Sequence, residues 1–332
     1  MPPTTTPLQK HIAGMIALMT TGLPPMGRND GRQDADLTGF IPRELEAIIA
    51  GAYRREYPEL MGRQLVPVQE GIPAWAETVK YNIYDRFGLA KLIAAYADDL
   101  PRADIVKDEV RSPIRSFGVA FGYNVDEMLA AEAGQLPLDA EKANAARMAY
   151  EEKIDRIIAN GDSAANLVGL LNVPNALSYT VPNDGTGTTK TWSTKTPDLI
   201  LRDLHGFYQF MKDQTNDVHT MKRIVLPVTQ FGLANTTPRS ANSDLTVLEY
   251  FLRNHPGTEV LSWYKLKGAG AAATDRMVGY IPDSKFISFV ENQPYTQYPP
   301  QAKNLELVVP TKGKSGGVIC KYPFTIAYGD GI

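Results

Sequence analysis

Two stretches with period-two alternation, residues 79–84 and 117–123, most restrict what this chain can fold into. In the first, the side chains of Val79, Tyr81 and Ile83 occupy every second position. Alternation of this kind is typical of strands with two different faces. The sequence therefore predicts a long two-stranded excursion, with the charged residues between the two stretches in its outer part. Because such a hairpin is only marginally stable alone in water, we expect another surface to cover its apolar face, and a neighbouring subunit is one candidate.

A long helix is the next prediction, and it covers about residues 140–159. Asp139 is a suitable N-cap, and Asn160–Gly161 ends the helical pattern. The apolar positions recur at helical spacing, which predicts one buried stripe. Its members are Ala143, Ala146, Tyr150, Ile154, Ile157 and Ile158.

The C-terminal half predicts a mixture of helices and strands. Thr196–Pro197–Asp198 and Ser243–Asp244 are typical helix starts. Strands are predicted at Arg223–Leu226, Glu259–Leu266, Arg276–Ile281, Leu305–Val309 and Gly317–Ala327. Together with the first half, this order predicts an α+β protein.

Charge and cysteine usage exclude several classes of protein. The chain has 34 basic and 37 acidic side chains, so it lacks the basic excess of a dedicated DNA-binding protein. With Cys320 as its one cysteine, it can form neither an internal disulfide nor a cysteine zinc cluster. No apolar run reaches the ~18 residues needed to span a bilayer, so we expect no membrane partner.

A search for catalytic motifs finds no convincing site. The histidines are scattered along the sequence, and neither a G-x-S-x-G elbow nor a phosphate-binding loop occurs. Residues 268–273 match G-x-G-x-x-A, but the next strand follows too closely for the helix that a dinucleotide site needs. The pairs Asp98–Asp99 and Glu151–Glu152 fit solvated charge better than acid–base chemistry. We therefore predict no catalytic, metal-binding or cofactor-binding residues, no cofactor, and a protein that is not an enzyme.

The order of elements and one local run carry a family resemblance. A helix at residues 145–158 is followed by Asn160-Gly161-Asp162 and then by Val168–Asn172. With an arm before it, a β-excursion, a mixed lobe and a return strand, this resembles the Hong Kong 97-type major capsid protein of tailed phages, and the related encapsulins. The resemblance implies an α+β fold with an N-terminal arm, an extended E-loop hairpin, a peripheral domain with a long spine helix, and an axial domain.

The resemblance also implies a division of the chain. The implied parts are an arm at 1–65, the E-loop at 66–110, a peripheral domain at 111–174 with its spine helix at 140–159, an axial domain at 175–310, and a return strand at 311–332.

The implied function is a structural subunit that self-assembles into pentamers and hexamers of an icosahedral head around double-stranded DNA. Other expected partners are portal and scaffolding proteins, with the DNA held by non-specific contact. The expected location is the virion capsid, assembled in the host cytoplasm. On this hypothesis the hairpin supplies the subunit interface through Val79, Tyr81, Ile83, Arg86, Asp98, Asp99 and Arg102. Two alternatives stay open: an encapsulin-like compartment shell and an α/β enzyme with an unrecognised site.

Overall fold

The computed structural model describes residues 58–87, 102–127, 138–240, 242 and 244–332. All of them belong to one compact unit, Pro58–Ile332. Asp98 and Asp99, two of the predicted interface residues, lie outside the described residues.

Within the described residues, helices and strands are mixed along the chain. The α-helices are α1 (Gly62–Leu65), α2 (Leu138–Asn160), α3 (Pro197–Gln214), α4 (Val228–Thr236) and α5 (Val247–Asn254). The first strands are β1 (Val68–Gln69), β2 (Thr78–Phe87), β3 (Asp104–Pro113), β4 (Arg115–Phe117), β5 (Ala120–Asn124), β6 (Leu177–Thr180) and β7 (Arg223–Leu226). They are followed by β8 (Glu259–Ser262), β9 (Arg276–Tyr280), β10 (Ile287–Gln297), β11 (Gln301–Lys303), β12 (Glu306–Cys320) and β13 (Ile326–Asp330).

The described strands form three sheets. A six-stranded sheet has the order β1-β10-β12-β11, and β4 and β5 also pair with β12. A five-stranded sheet has the order β6-β13-β9-β7-β8, and β2 and β3 form a separate two-stranded hairpin. The long strand β12 therefore organises the larger sheet, because most of its other strands pair with it.

The long helix α2 packs its apolar stripe into the core beside the six-stranded sheet. Ala146, Tyr150, Ile154, Ile157 and Ile158 are buried, as their spacing predicts, and Ala143 is half-buried. The predicted N-cap is wrong, because the helix already includes Leu138 and Asp139. The predicted end is confirmed by Gly161, whose φ of 67° suits glycine and whose N–H donates to the carbonyl oxygen of Ile157 at 2.8 Å.

A second core lies in the lobe of the five-stranded sheet. Helices α3, α4 and α5 contribute buried apolar residues to it, among them Phe207, Ala234 and Phe251. Helix α3 begins at Pro197, as the sequence predicts. Helix α5 begins at Val247, later than predicted, because Thr246 and Glu249 form a capping box there.

The predicted hairpin is wrong in its second strand. Strand β2 pairs with β3 rather than with residues 117–123, which form β4 and β5 of the six-stranded sheet. The charge of residues 104–113 concealed a strand, because this strand has little of the apolar alternation that a buried face imposes. The strand predicted at Gly317–Ala327 is also wrong, since β12 ends at Cys320 and β13 begins at Ile326.

Candidate assembly interface

The β2–β3 hairpin is a long two-stranded element that pairs with neither of the larger sheets. Its ten residue pairs run without a bulge from Thr78 opposite Pro113 to Phe87 opposite Asp104. At about 3.3 Å per residue, each strand is roughly 33 Å long. Opposed residues share a face, so the register defines one face by Val79, Tyr81 and Ile83. The sequence predicted that these three side chains lie together, and the register confirms it.

The base of this face is occupied by the chain itself. Val79 and Tyr81 pack against a small core of Ala76, Ile114, Val290 and Ile319. The hydroxyl of Tyr81 donates to the carbonyl oxygen of Cys320 at 3.3 Å, and burial raises the pKa of this tyrosine. These two side chains thus fix the hairpin to the six-stranded sheet, and their contact with another copy stays a prediction.

The distal half of the hairpin carries four large apolar side chains that the described residues cover only in part. Phe87 is 58% exposed and Val106 is 53% exposed, on the same face as Tyr81. Tyr84 and Ile105, on the opposite face, are 62% and 59% exposed. Sequence reasoning missed all four as site residues, because Asp85 interrupts the apolar alternation of β2 before Phe87. Exposed apolar side chains of this kind are typical of surfaces that bind another protein, so the distal hairpin is a candidate interface.

The predicted charged residues of the hairpin are placed only in part. Arg86 lies in β2 opposite Ile105, and Arg102 is exposed just before β3. Asp98 and Asp99 lie outside the described residues. The structure therefore does not bring the four predicted rim residues together.

A group of charges that the sequence did not single out holds the two hairpin strands together. Glu109 pairs with Lys80 across the strands at 2.6 Å and with Arg111 of its own strand at 2.7 Å. Hydrogen bonds from Lys80 and Arg111 lower the pKa of Glu109. All three residues lie on the face away from Tyr81, so they stabilise the register without occupying the apolar face.

An apolar groove of about 410 Å³ lies on the six-stranded sheet. Its lining comes from β5, from β12 and from the turn after β10, with Ala143 of α2 at one side. The main lining residues are Phe121, Tyr123, Tyr298, Pro300, Leu307 and Val309. Tyr298 is 40% exposed, so the groove is open to an incoming side chain.

The segment after Pro58 contacts both large sheets. Tyr280 of the five-stranded sheet donates a 2.6 Å hydrogen bond to the carbonyl oxygen of Leu65, and Arg223 donates to the same oxygen at 3.1 Å. Arg63 pairs with Glu291 of the six-stranded sheet and, at 3.2 Å, with Glu151 of α2. The last residues of the predicted arm are therefore part of the core, where Leu65 is fully buried.

No group of three or more metal-ligating side chains occurs in the described part of the chain. Of the helices described here, none is long and apolar enough to cross a membrane. The G-x-G-x-x-A match forms a loop with one short 3₁₀ turn at Ala271–Ala273, as predicted.

Comparison with known proteins decides the family. A family model described as "Major capsid protein" matches residues 88–332, which is most of the chain. The chain belongs to the major capsid protein family. The predicted resemblance to tailed-phage major capsid proteins is thereby confirmed, and this capsid protein has a structural role in a phage capsid.

Solved structures show the fold of the capsid protein. The capsid of Myoviridae phage XM1 matches with a TM-score of 0.77 at 16% identity, over 88% of this chain and 98% of that one. Mycobacterium phage Ogopogo matches with a TM-score of 0.57 at 13% identity, over 84% and 94% of the two chains. A virus-like particle from Pyrococcus furiosus matches with a TM-score of 0.53 at 12% identity, over 80% and 91%. No curated protein matches the sequence. The predicted α+β capsid fold is confirmed, and the encapsulin-like alternative is not favoured.

Proposed function

We propose that this capsid protein forms the pentamers and hexamers of an icosahedral phage head that encloses double-stranded DNA. Subunits that meet head to tail close into rings at a fixed number of copies. The hairpin and the arm would each lie across a neighbouring subunit. These contacts would give a subunit with a small compact body a large obligate interface. The observation that carries the proposal is the exposed apolar surface on the distal hairpin.

Among the described residues, few contacts cover Phe87 and Val106 on the distal hairpin, so a neighbouring copy is the partner that we propose for them. A large apolar side chain contributes about 1.5–3 kcal/mol when it becomes fully buried. Phe87 and Val106 share the face that Tyr81 already fixes at the base. On this face Asp85 lies opposite Val106 and Asp104 lies opposite Phe87. A neighbour that covers the face would therefore bury the two apolar side chains and would leave the carboxylates in contact with water or with its own basic groups.

We propose that the neighbour's surface is the apolar groove beside Tyr298 and Leu307. The groove is open and apolar, and it lies on the rigid six-stranded sheet. Aromatic and aliphatic side chains such as Phe87 and Val106 match its lining in size and polarity. The rim of this interface would be formed by charged residues near the hairpin, including Arg86, Asp98, Asp99 and Arg102. A single ion pair at such a rim adds little to the stability of the assembly, but the same pair is repeated many times per shell.

The other partners follow from the same proposal. With a net charge of −3, the chain would hold packaged DNA by weak non-specific contact, since a strongly basic surface would bind it too tightly. Portal and scaffolding proteins would direct assembly in the host cytoplasm.

An encapsulin-like shell is the alternative function. Genes for a portal and a terminase next to the gene for this chain would support the phage capsid, and a neighbouring gene for a cargo enzyme would support the encapsulin-like shell. We propose no catalytic activity for the chain, since its structural role requires none; a compact monomer with enzymatic turnover would contradict this.

The test is assembly of the purified full chain, followed by size-exclusion chromatography and negative-stain electron microscopy. We expect rings, tubes or shells from the unmodified chain. The variant with Phe87→Asp and Val106→Asp should stay folded, by circular dichroism, but should not assemble. Val218→Asp is the matched control, because Val218 is 72% exposed and lies outside the hairpin.

Two results would separate the parts of the proposal. Assembly by the double hairpin variant would show that the distal hairpin is not an interface. If Tyr298→Asp assembles normally while the hairpin variant does not, the hairpin binds a surface other than the groove.

A further inference from the structure

Two histidines that are fifty positions apart in sequence meet in the lobe of the five-stranded sheet. His205 lies in α3, and His255 is the C-cap of α5. Nδ1 of His205 and Nε2 of His255 are 2.8 Å apart, which is hydrogen-bonding distance. Since one nitrogen must donate a proton and the other must accept it, the bond requires at least one neutral imidazole.

Aromatic rings surround this pair. The ring of Tyr208 lies 4.0 Å from the ring of His255, between centroids. Phe251 lies 5.3 Å from His205 and 4.8 Å from His255. Both histidines are half-buried, and Phe251 is fully buried in the core between α3 and α5. The two histidines therefore lie at the edge of the contact between α3 and α5.

Burial, and at His255 also nearby positive charge, favours the neutral forms of the two rings. Burial lowers the pKa of His205. Burial, His205 and Lys212 lower the pKa of His255, in that order of importance. Lys212 comes from α3, and its ammonium lies above the Tyr208 ring at 5.7 Å from the ring centroid. No carboxylate among the described residues opposes these shifts at either ring.

We propose that His205 and His255 form an acid-sensitive clasp between α3 and α5. When the neutral pair gains one proton, an N–H⁺···N bond still joins the rings, and the C-terminal end of α5 favours a cation at His255. When the pair gains a second proton, both imidazoles are charged, neither nitrogen can accept, and two positive charges face each other beside Lys212. The clasp then opens and α5 separates from α3. This inference concerns the lobe of one subunit, so it does not depend on the proposed hairpin interface.

The direction of the pH dependence follows from linkage. An unfolded histidine has a pKa of about 6.5, and both folded pKa values are lower than that. The folded state therefore binds fewer protons than the unfolded state between these values. The stabilising contribution is complete above about pH 6.5 and is lost as the pH falls through the folded pKa values.

Hydrogen exchange of the purified full chain tests the clasp. Amide protection in α5 would be measured at pH 7.5 and pH 5.0, corrected for intrinsic exchange and compared with α2. In the unmodified chain we expect α5 to lose about 10-fold in protection relative to α2, the size expected when one hydrogen bond is lost. His205→Gln should reduce this loss to less than about 3-fold, because it prevents the doubly charged pair.

His219→Gln provides the matched control. His219 is also half-buried with a lowered pKa, but it packs on Phe286 rather than on α5. This variant should keep the response of the unmodified chain. If His205→Gln responds as strongly as the unmodified chain, or if α5 shows no loss relative to α2, the clasp is disproved.

A second measurement does not require any variant to fold. Histidine hydrogen–deuterium exchange, followed by mass spectrometry, gives the pKa of each histidine in the unmodified chain. We expect one proton of the pair to titrate well below the other. Titration of both histidines together near pH 6.5 would overturn the proposal.

Discussion

The backbone N–H of Gly62 donates a 2.7 Å hydrogen bond to Oδ1 of Asp155, which lies on the long helix α2. The same carboxylate forms an ion pair with Lys265 of the five-stranded-sheet lobe. Asp155 is only 2% exposed. One buried side chain therefore joins the segment at the start of the compact unit, the long helix and the second lobe.

Replacement of this carboxylate should destabilise the whole unit. Asp155→Ala leaves the Gly62 N–H without its acceptor and leaves the largely buried Lys265 without a counter-charge. We expect a loss of about 2–4 kcal/mol in the free energy of unfolding, measured in urea. Arg156→Ala, at the next and exposed position of α2, should change it by less than about 0.5 kcal/mol. Equal losses of unfolding free energy in the two variants would contradict the role of Asp155 in joining these three parts of the unit.

The buried pair of Lys195 and Asp203 should show strong coupling. Both side chains are fully buried, and the Nζ–Oδ2 distance is 2.6 Å. Lys195→Met alone should cost about 3–5 kcal/mol, because it leaves a buried carboxylate with only the half-exposed Arg202 as partner. Lys195→Met combined with Asp203→Leu should recover part of this loss. A double-mutant cycle of unfolding free energies measures the coupling, and additive losses would refute it.

Two glycines with positive φ should respond differently to alanine. Gly71 has a φ of 82° and open space where a Cβ would lie, so Gly71→Ala should cost only about 1–2 kcal/mol of backbone strain. Gly161 has a φ of 67°, and a Cβ there would overlap the carbonyl oxygen of Leu167. Gly161→Ala should therefore cost at least about 2 kcal/mol more than Gly71→Ala in urea unfolding. Similar losses would mean that the turn after α2 can move aside.

Acid should weaken the contact between Arg276 and Asp330. The guanidinium donates to the two carboxylate oxygens at 2.7 and 2.9 Å, and the Ala271 N–H donates at 3.0 Å. Burial alone would raise the pKa of Asp330, but these donors outweigh it and hold the pKa below its usual value. Because the pKa of Asp330 is lower in the folded state than in the unfolded state, its charged form stabilises the fold. This contribution is complete above the unfolded pKa of about 3.9 and is lost as the pH falls through the folded pKa.

Asp330→Asn should accordingly cost about 1.5–3 kcal/mol at pH 7 and clearly less at pH 3. Urea unfolding at the two pH values measures the difference. Glu70→Gln, at an exposed position, should have little effect at either pH. A cost for Asp330→Asn that does not change with pH would disprove the charge-based account.

Helices that carry a clear signal within their own residues were predicted best from the sequence. The apolar stripe of α2 and the proline start of α3 are local signals, and the structure has both helices where they were expected. The pairing partner of β2 was not predictable in the same way. Strand β3 is exposed along much of its length. Because it has no fully buried face, its sequence lacks an apolar alternation, and its many charged residues resemble those of a loop.

The candidate interface was predictable only in part for a similar reason. The alternation in β2 identified the face of Val79, Tyr81 and Ile83, but it could not show that the base of this face packs on Val290 and Ile319. The contacts of Asp155 and of His255 depend on residues that are distant along the chain. A search of local patterns has no signal for such contacts, because only the folded chain brings the partners together.

The long sequence separation between β12 and the strands β4 and β5 has a consequence for biosynthesis. The side chain of Thr311 in this strand binds the backbone of Val119, 192 positions earlier. Neither β4 nor β5 has its main partner until the ribosome has also made β12. Contacts of such long range form slowly. A nascent chain therefore cannot complete the sheet to which its hairpin is fixed, so translation itself delays the moment at which a subunit becomes competent to meet its neighbours.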